Sequence, residues 1–185
     1  MKKSSRKKQA PGQSEQAKRR FFDLLHQGTE ALHQGDVAKA TRFLERAHQL
    51  DPDNHNATLN LGGVYILSKK FTQAVALLEP LSERDPNNPM VWTNLGAAYL
   101  GNPILAREAE QLRAIAAFER AIELNPAAPN VAYNLGLVHL DRQDNERALH
   151  WFQRAVQANP NDRDARRFVE QLAGETKDKR EESST

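Results

Sequence analysis

The chain of 185 residues contains no cysteine, so it has neither a disulfide frame nor thiol chemistry, and its redox compartment is left open. Aromatic residues make up only 6% and methionine occurs twice, while a hydrophobic content of 39% supports one domain plus tails. No apolar run approaches the ~18 residues of a membrane span. The charged start Met1-Lys2-Lys3-Ser4-Ser5-Arg6-Lys7-Lys8 has no apolar stretch behind it and is not read as a secretory signal, which makes soluble and cytoplasmic the expectation. The glycines are dispersed rather than clustered, so there is no loop to cradle a phosphate. Between residues 21 and 162 the only serines are Ser68 and Ser82, and neither stands in a nucleophile elbow. The six histidines (26, 33, 48, 55, 139 and 150) show no metal-ligand spacing with acidic partners. Catalysis and cofactors are not expected.

What is present is periodic. Asn-Leu-Gly occurs at Asn60-Leu61-Gly62, Asn94-Leu95-Gly96 and Asn134-Leu135-Gly136. With a weaker copy at Gly28 the glycines fall at 28, 62, 96 and 136. Alanines follow at 40, 74, 114 and 148, and prolines at 52, 86, 126 and 160. The step is 34 residues, except across the third copy, where it is 40. Within each copy apolar residues recur at three and four, so each unit is a pair of amphipathic helices. Gly on the first helix and Ala on the second allow close approach, and Pro stops the second helix. One pair cannot bury its apolar face alone, whereas four stacked pairs form a continuous core.

The third copy reads Trp92-x2-Leu95-Gly96-x2-Tyr99, then Ala114-x3-Phe118, then Pro126. By these residues the chain resembles the tetratricopeptide repeat family. The resemblance implies an all-α, right-handed α–α superhelix of four helix pairs with a C-terminal capping helix. The repeats would be 21–54, 55–88, 89–128 and 129–162, the cap 163–174, with a basic, largely disordered arm at 1–20 and a disordered tail at 175–185. Helix pairs are expected at 21–34 and 37–50, 55–68 and 71–84, 89–101 and 103–124, and 129–142 and 145–158. Ser14 is the expected cap of the first helix and Gly174 the stop of the last. The first copy departs from the pattern at Gln27 and Ala31, as a terminal repeat with one neighbour can. Pro80 should kink its helix locally. The six extra residues of the third copy predict a second helix lengthened by nearly two turns from Asn102-Pro103; the alternative is a longer loop. His139 occupies an aromatic packing position and reads as a core residue.

The resemblance also implies a function: non-catalytic protein–protein interaction, as adaptor or assembly scaffold, with the first helices lining a concave groove. Fifth positions are Leu25, Leu59, Thr93 and Tyr133; ninth are Thr29, Gly63, Ala97 and Leu137; twelfth include Ile66. Sixth positions form the row His26, Asn60, Asn94 and Asn134. An Asn amide both donates and accepts, so a row of them could hold an extended backbone while apolar side chains fill the gaps between. The same Asn can instead bond its own neighbours, and both readings stand. Chaperone-tail-binding members carry a Lys/Arg carboxylate clamp at positions that here hold Leu25, Thr29, Asn60, Met90 and Asn94, or, one repeat on, Leu59, Gly63, Asn94, Asn130 and Asn134. Only the Asn survives, so that ligand is not expected. The candidate groove therefore comprises Leu25, His26, Leu59, Asn60, Gly63, Ile66, Met90, Thr93, Asn94, Ala97, Asn130, Tyr133, Asn134 and Leu137, for an extended or apolar segment of another protein.

The formal net charge of +2 conceals an asymmetry. Residues 1–20 carry eight Lys/Arg against Glu15, a net +7, which leaves the repeat body at −4 once the tail's −1 is included. The arm could hold an anionic partner such as RNA, ribosome or acidic lipid by charge. It has no aromatic residue for base stacking and could equally be a solubilising tail. Self-association through the lengthened third-repeat helix is a further reading.

Overall fold

The computed structural model describes residues 11–101 and 107–182. Nine α-helices make up the described residues, arranged as an all-α solenoid: α1 (Pro11–His33), α2 (Val37–Leu50), α3 (His55–Leu67), α4 (Phe71–Arg84), α5 (Pro89–Leu100), α6 (Glu108–Leu124), α7 (Pro129–Asp141), α8 (Asn145–Ala158) and α9 (Arg163–Glu182). Several helix starts have a local cause. Side chains of Asp36, Asn54, Asn88 and Asp144 accept backbone N–H bonds from Lys39, Ala57, Met90 and Arg147 at 2.9–3.1 Å, satisfying donors that a helix leaves unpaired.

In three repeats the paired helices are joined by the same turn. Gly35, Lys69 and Gln143 adopt left-handed backbone conformations, with φ of 75°, 58° and 60°. Around them Asp36 N–H bonds to Ala31 O, Lys70 N–H to Tyr65 O and Asp144 N–H to His139 O at 2.8–2.9 Å, closing a Schellman motif each time.

The third repeat breaks this rule, and there the expectation of a helix from Pro103 is corrected. Asn102 and Pro103 lie outside the described residues, but Arg107 is extended (ψ 162°), so no helix runs unbroken from 103 to 124. The helix begins at Glu108 and has 17 residues against 14 in α2, α4 and α8, a gain of less than one turn. The carboxylate of Glu110 accepts the Arg107 N–H at 2.7 Å and fixes this start. The added turn then reaches the end of the following first helix. Gln111 donates to Asp141 at 2.6 Å, and Arg142 donates to Gln111 at 3.2 Å and pairs with Glu108 at 3.4 Å.

Both ends also differ from expectation. Helix α1 starts at Pro11, three residues before Ser14, so half of the arm expected to be largely disordered is helical; residues 1–10 lie outside the described residues. No proline interrupts 13–33, and Pro11 at the first helical position has no donor to lose. Helix α9 continues through Gly174 to Glu182, into the segment expected to be a disordered tail. A single exposed Gly costs a helix about 1 kcal/mol and does not stop one followed by Glu, Lys and Arg. Pro80 lies inside a continuous α4 with its side chain exposed, on a face where water can replace the missing donor.

The core follows the repeat. Ala40, Leu44, Ala47, Ala74, Leu78, Ala114, Phe118, Ala121, Ala148, Phe152 and Ala155 are fully buried, and Trp92 and Tyr99 join the clusters of the two halves. A Cβ at Gly62 would lie 2.7 Å from Leu78, and at Gly96 or Gly136 2.6 Å from the rings of Phe118 or Phe152. The second helix therefore rests directly on the glycine backbone of the first.

A second ladder links successive repeats. The Tyr65 hydroxyl donates to Glu45 at 3.0 Å and that of Tyr99 to Glu79 at 2.7 Å, while Arg113 pairs with Glu79 and stacks on Tyr99. Burial and the adjoining carboxylate push both phenols up to about 12. The next member of the register is His139, with Glu119 the counterpart of Glu45 and Glu79. Its ring is buried, with Nδ1 unpartnered and 3.8 Å from Asp144. Burial lowers its pKa; Asp144 opposes that shift, and Arg147 and Arg142 add to it.

The neutral ring is thus the folded form. The unfolded chain takes up this proton near pH 6.5 and the folded chain only at lower pH, so stability is full above that range and falls as pH drops from about 6.5 toward the folded pKa. His48, lowered by burial and by Arg84, acts in the same direction. His139→Tyr is expected to flatten this loss and, by bonding Glu119, to add about 1 kcal/mol at pH 5–6. Urea unfolding between pH 5 and 8 measures both effects; an unchanged slope refutes the account.

Candidate functional site

Two depressions lie side by side on the inner face formed by the first helices. One, of about 310 Å³, is lined by Leu32, Leu59, Asn60, Gly63, Ile66, Leu67, Met90, Asn94 and Ala97. The other, of about 190 Å³, is lined by Pro89, Met90, Thr93, Asn94, Asn125, Ala128, Asn130 and Val131. They share Met90 and Asn94, and no lining residue is charged. A third, of about 430 Å³, opens at the first repeat between Ala17, Lys18, Phe21 and Phe22 of α1, Leu50 at the end of α2, and Asp51 and Asn54 of the α2–α3 connection.

Exposed apolar side chains gather here. Among the described residues the large ones are Phe22, Leu50, Leu67, Met90 and Leu112, and the first four line these depressions. Phe22 and Leu50 line the first-repeat depression together, and Leu67 and Met90 the larger inner one.

Of the candidate residues, Leu59, Asn60, Gly63, Ile66, Met90, Thr93, Asn94, Ala97 and Asn130 line the two inner depressions. The other five do not. Leu25 is half-buried and packs into the first-repeat core, while His26 is exposed at the next position of α1. Tyr133 and Leu137 pack into the cluster that α9 closes: Tyr133 meets Phe152 edge-on at 5.6 Å and lies 6.3 Å from Phe168. Asn134 is half-buried on α7 outside the depressions. The cause is the cap, because α9 continues the register of a first helix and places Phe168 where the repeats carry Asn.

The asparagine row is not uniform. Asn60 donates to Thr29 at 3.0 Å, and Thr29 donates to the Leu25 carbonyl at 2.9 Å. That amide thus bridges the first two repeats. The ninth position of the second repeat is Gly63, which offers no hydroxyl; a Cβ there would lie 3.5 Å from the Asn94 amide nitrogen, an ordinary contact. The Asn94 side chain therefore faces the depression with space beside it.

Leu67, Leu50, Phe22, Asn125 and Ala128 line the surface without having been singled out in the sequence. For Phe22 a signal was available: Phe22, Asn56, Met90 and Asn130 stand at the same repeat position, 34, 34 and 40 residues apart. The other four belong to helix ends and connections, where placement depends on how neighbouring pairs stack. No group of three or more His, Asp or Glu among the described residues is arranged to hold a metal ion. No helix among them is long and apolar enough to cross a membrane.

Family models described as tetratricopeptide repeat match residues 31–98 and 112–163. Among solved structures the chain is similar to MamA AMB-1, at 30% identity over 75% of this chain and 72% of that one, with a TM-score of 0.58. MamA 41-end from Desulfovibrio magneticus RS-1 matches at 21% identity over 77% of each chain, with a TM-score of 0.66. TTC0263, a thermophilic TPR protein of Thermus thermophilus, matches at 18% identity over 84% of this chain and 82% of that one, with a TM-score of 0.71. The last two likenesses concern the fold alone. No curated protein matches the chain. With the repeat residues in their packing roles and the family models spanning both halves, the chain belongs to the tetratricopeptide repeat family.

Proposed function

We propose that the concave face binds an extended, apolar segment of a partner protein, with Asn94 contacting the segment's backbone and Met90 dividing its side chains between two depressions. Tetratricopeptide repeats bind other proteins and are generally non-catalytic, so the coarse role is that of an interaction scaffold. The observation that carries the finer reading is the gathering of exposed apolar side chains around depressions whose inner two members have no charged lining. A segment laid there loses apolar surface from water at about 25 cal/mol per Å², without a charge to strip of solvent. Asn94 supplies one donor and one acceptor where a peptide backbone requires both.

Met90→Glu places a carboxylate at the junction of the two depressions, and Asn94→Ala removes the amide. Each is expected to weaken partner capture at least about tenfold, or ~1.4 kcal/mol, with unchanged helicity by circular dichroism. Asn60→Ala should also lower stability, because it severs the bridge to Thr29. Retention of the same partners by folded Met90→Glu protein would sink the proposal.

A further inference from the structure

Two adjacent glycines inside α3 have different surroundings. A Cβ at Gly62 would lie 2.7 Å from the Leu78 side chain, so the contact between α3 and α4 requires that glycine. At Gly63 a Cβ would meet the Asn94 amide nitrogen at 3.5 Å, an ordinary contact, and the backbone there is not left-handed. Neither packing nor conformation calls for glycine at position 63, although glycine in a helix interior is less favourable than alanine. What the absent side chain provides is space. Gly63 lines the depression of about 310 Å³, whose apolar walls Leu32, Leu59, Ile66, Leu67, Met90 and Ala97 come from three successive first helices.

We infer that Gly63 determines the specificity of the groove: it makes room for one large uncharged side chain of the bound segment, a Leu, Ile, Met or Phe, and leaves the Asn94 amide to the segment's backbone beside it. This rests on the groove reading above. No residue lining the depression is charged, so a charged anchor would give up water without a counter-ion, whereas an apolar one loses only apolar surface. The volume is at the low end of pockets that hold small ligands, which suits a single side chain rather than the face of a helix. The first repeat supplies the internal comparison. Thr29 stands at the repeat position of Gly63, accepts from Asn60 at 3.0 Å and donates to the Leu25 carbonyl at 2.9 Å. Gly63 precedes Asn94 by the same 31 residues that separate Thr29 from Asn60. A hydroxyl at position 63 would find the Leu59 carbonyl four residues back and the Asn94 amide across the repeat boundary. Glycine withholds that bridge, so one position sets both the size of the seat and the freedom of the amide.

The test is selection from a displayed library of random peptides on the immobilised full chain, repeated with Gly63→Leu, which fills the seat, and Gly63→Thr, which also engages Asn94. Wild type is expected to enrich uncharged segments with one recurrent Leu, Ile, Met or Phe. Both variants should weaken these peptides about tenfold, and Gly63→Leu should shift the recurrent residue to a smaller one. Stability should move the other way: Gly63→Ala, whose Cβ has room, is expected to raise the Tm by about 2–4 °C, and the two larger variants to unfold no lower than wild type. In Gly63→Thr the Asn94 side-chain amide protons should exchange with solvent as slowly as those of Asn60, read by NMR without any ligand. A lowered Tm for Gly63→Ala would mean that packing requires this glycine and overturns the inference. So does enrichment of the same peptides at the same affinity on Gly63→Leu and Gly63→Thr, while their loss on Met90→Glu keeps the groove reading standing. Identical enrichment on Met90→Glu overturns the groove reading and the inference with it, as does an absence of enrichment above bare matrix.

Discussion

Phe152→Ala is expected to lower stability by about 3–5 kcal/mol and to release α9 from the array. The ring is fully buried and stacks on Phe168 of α9 at 4.6 Å with an interplanar angle of 11°. It also meets Tyr133 edge-on and fills the space above Gly136. No neighbour can collapse into that space from below, because the Gly136 backbone has no side chain to offer. The resulting cavity opens under the element that covers the last repeat. In a stacked array the loss is local, since each repeat depends on nearest neighbours and cooperativity breaks down along its length. Hydrogen exchange by residue is therefore the decisive measurement: amides of α9 and of the second half of α8 should lose protection while those of α3 and α4 keep it. Retained protection across residues 163–174 would show that the aromatic stack is not what holds the cap.

The second large effect is at a glycine. Gly96→Ala adds a carbon 2.6 Å from both Cδ1 and Cε1 of Phe118, a ring that is fully buried. A planar ring cannot yield by turning one methyl aside, so α5 and α6 must move apart, at a cost of about 1–3 kcal/mol. The gain in helix propensity from Gly to Ala, about 1 kcal/mol, acts in the opposite direction. The net sign is destabilising. Gly62→Ala meets Leu78 at 2.7 Å, and a branched aliphatic side chain has other rotamers, so a smaller loss is expected there. Thermal unfolding of the four variants at Gly28, Gly62, Gly96 and Gly136 should rank the two ring-facing positions as the more damaging pair. A stabilised Gly96→Ala protein would overturn the packing account.

The same two glycines illustrate what could be read in advance. Their spacing and their pairing with Ala and Pro are sequence facts, and a helix-pair solenoid is their consequence because every repeat solves the same packing problem with the same positions. That Gly96 abuts a phenyl ring and Gly62 a leucine follows from the repeat register as well. The expected extension from Pro103 failed for a different reason. Helix periodicity in 103–124 is compatible with several starting points, and the choice fell to Glu110 capping Arg107 and to Gln111 and Glu108 meeting Asp141 and Arg142, partners some 30 residues away.

The groove shows the same division. The repeat register places Asn60, Asn94 and Asn134 in one row, and sequence alone treats them as equivalent. Their neighbours across the repeat boundary decide otherwise: Thr29 takes up the amide of Asn60, and Gly63 leaves that of Asn94 facing open space. Tyr133 and Leu137 are likewise removed from the depressions by Phe168 and its helix. The repeat, its packing residues and the absence of charge along the middle of the inner face were legible in the residue order, because these are periodic and each is set by contacts within one pair or between adjacent pairs. Which asparagine is spent on stability, where the insertion becomes helix and that Leu50 and Leu67 line the depressions emerged from the folded array alone. Those outcomes depend on side chains brought together from different repeats, and no local pattern records who their neighbours are.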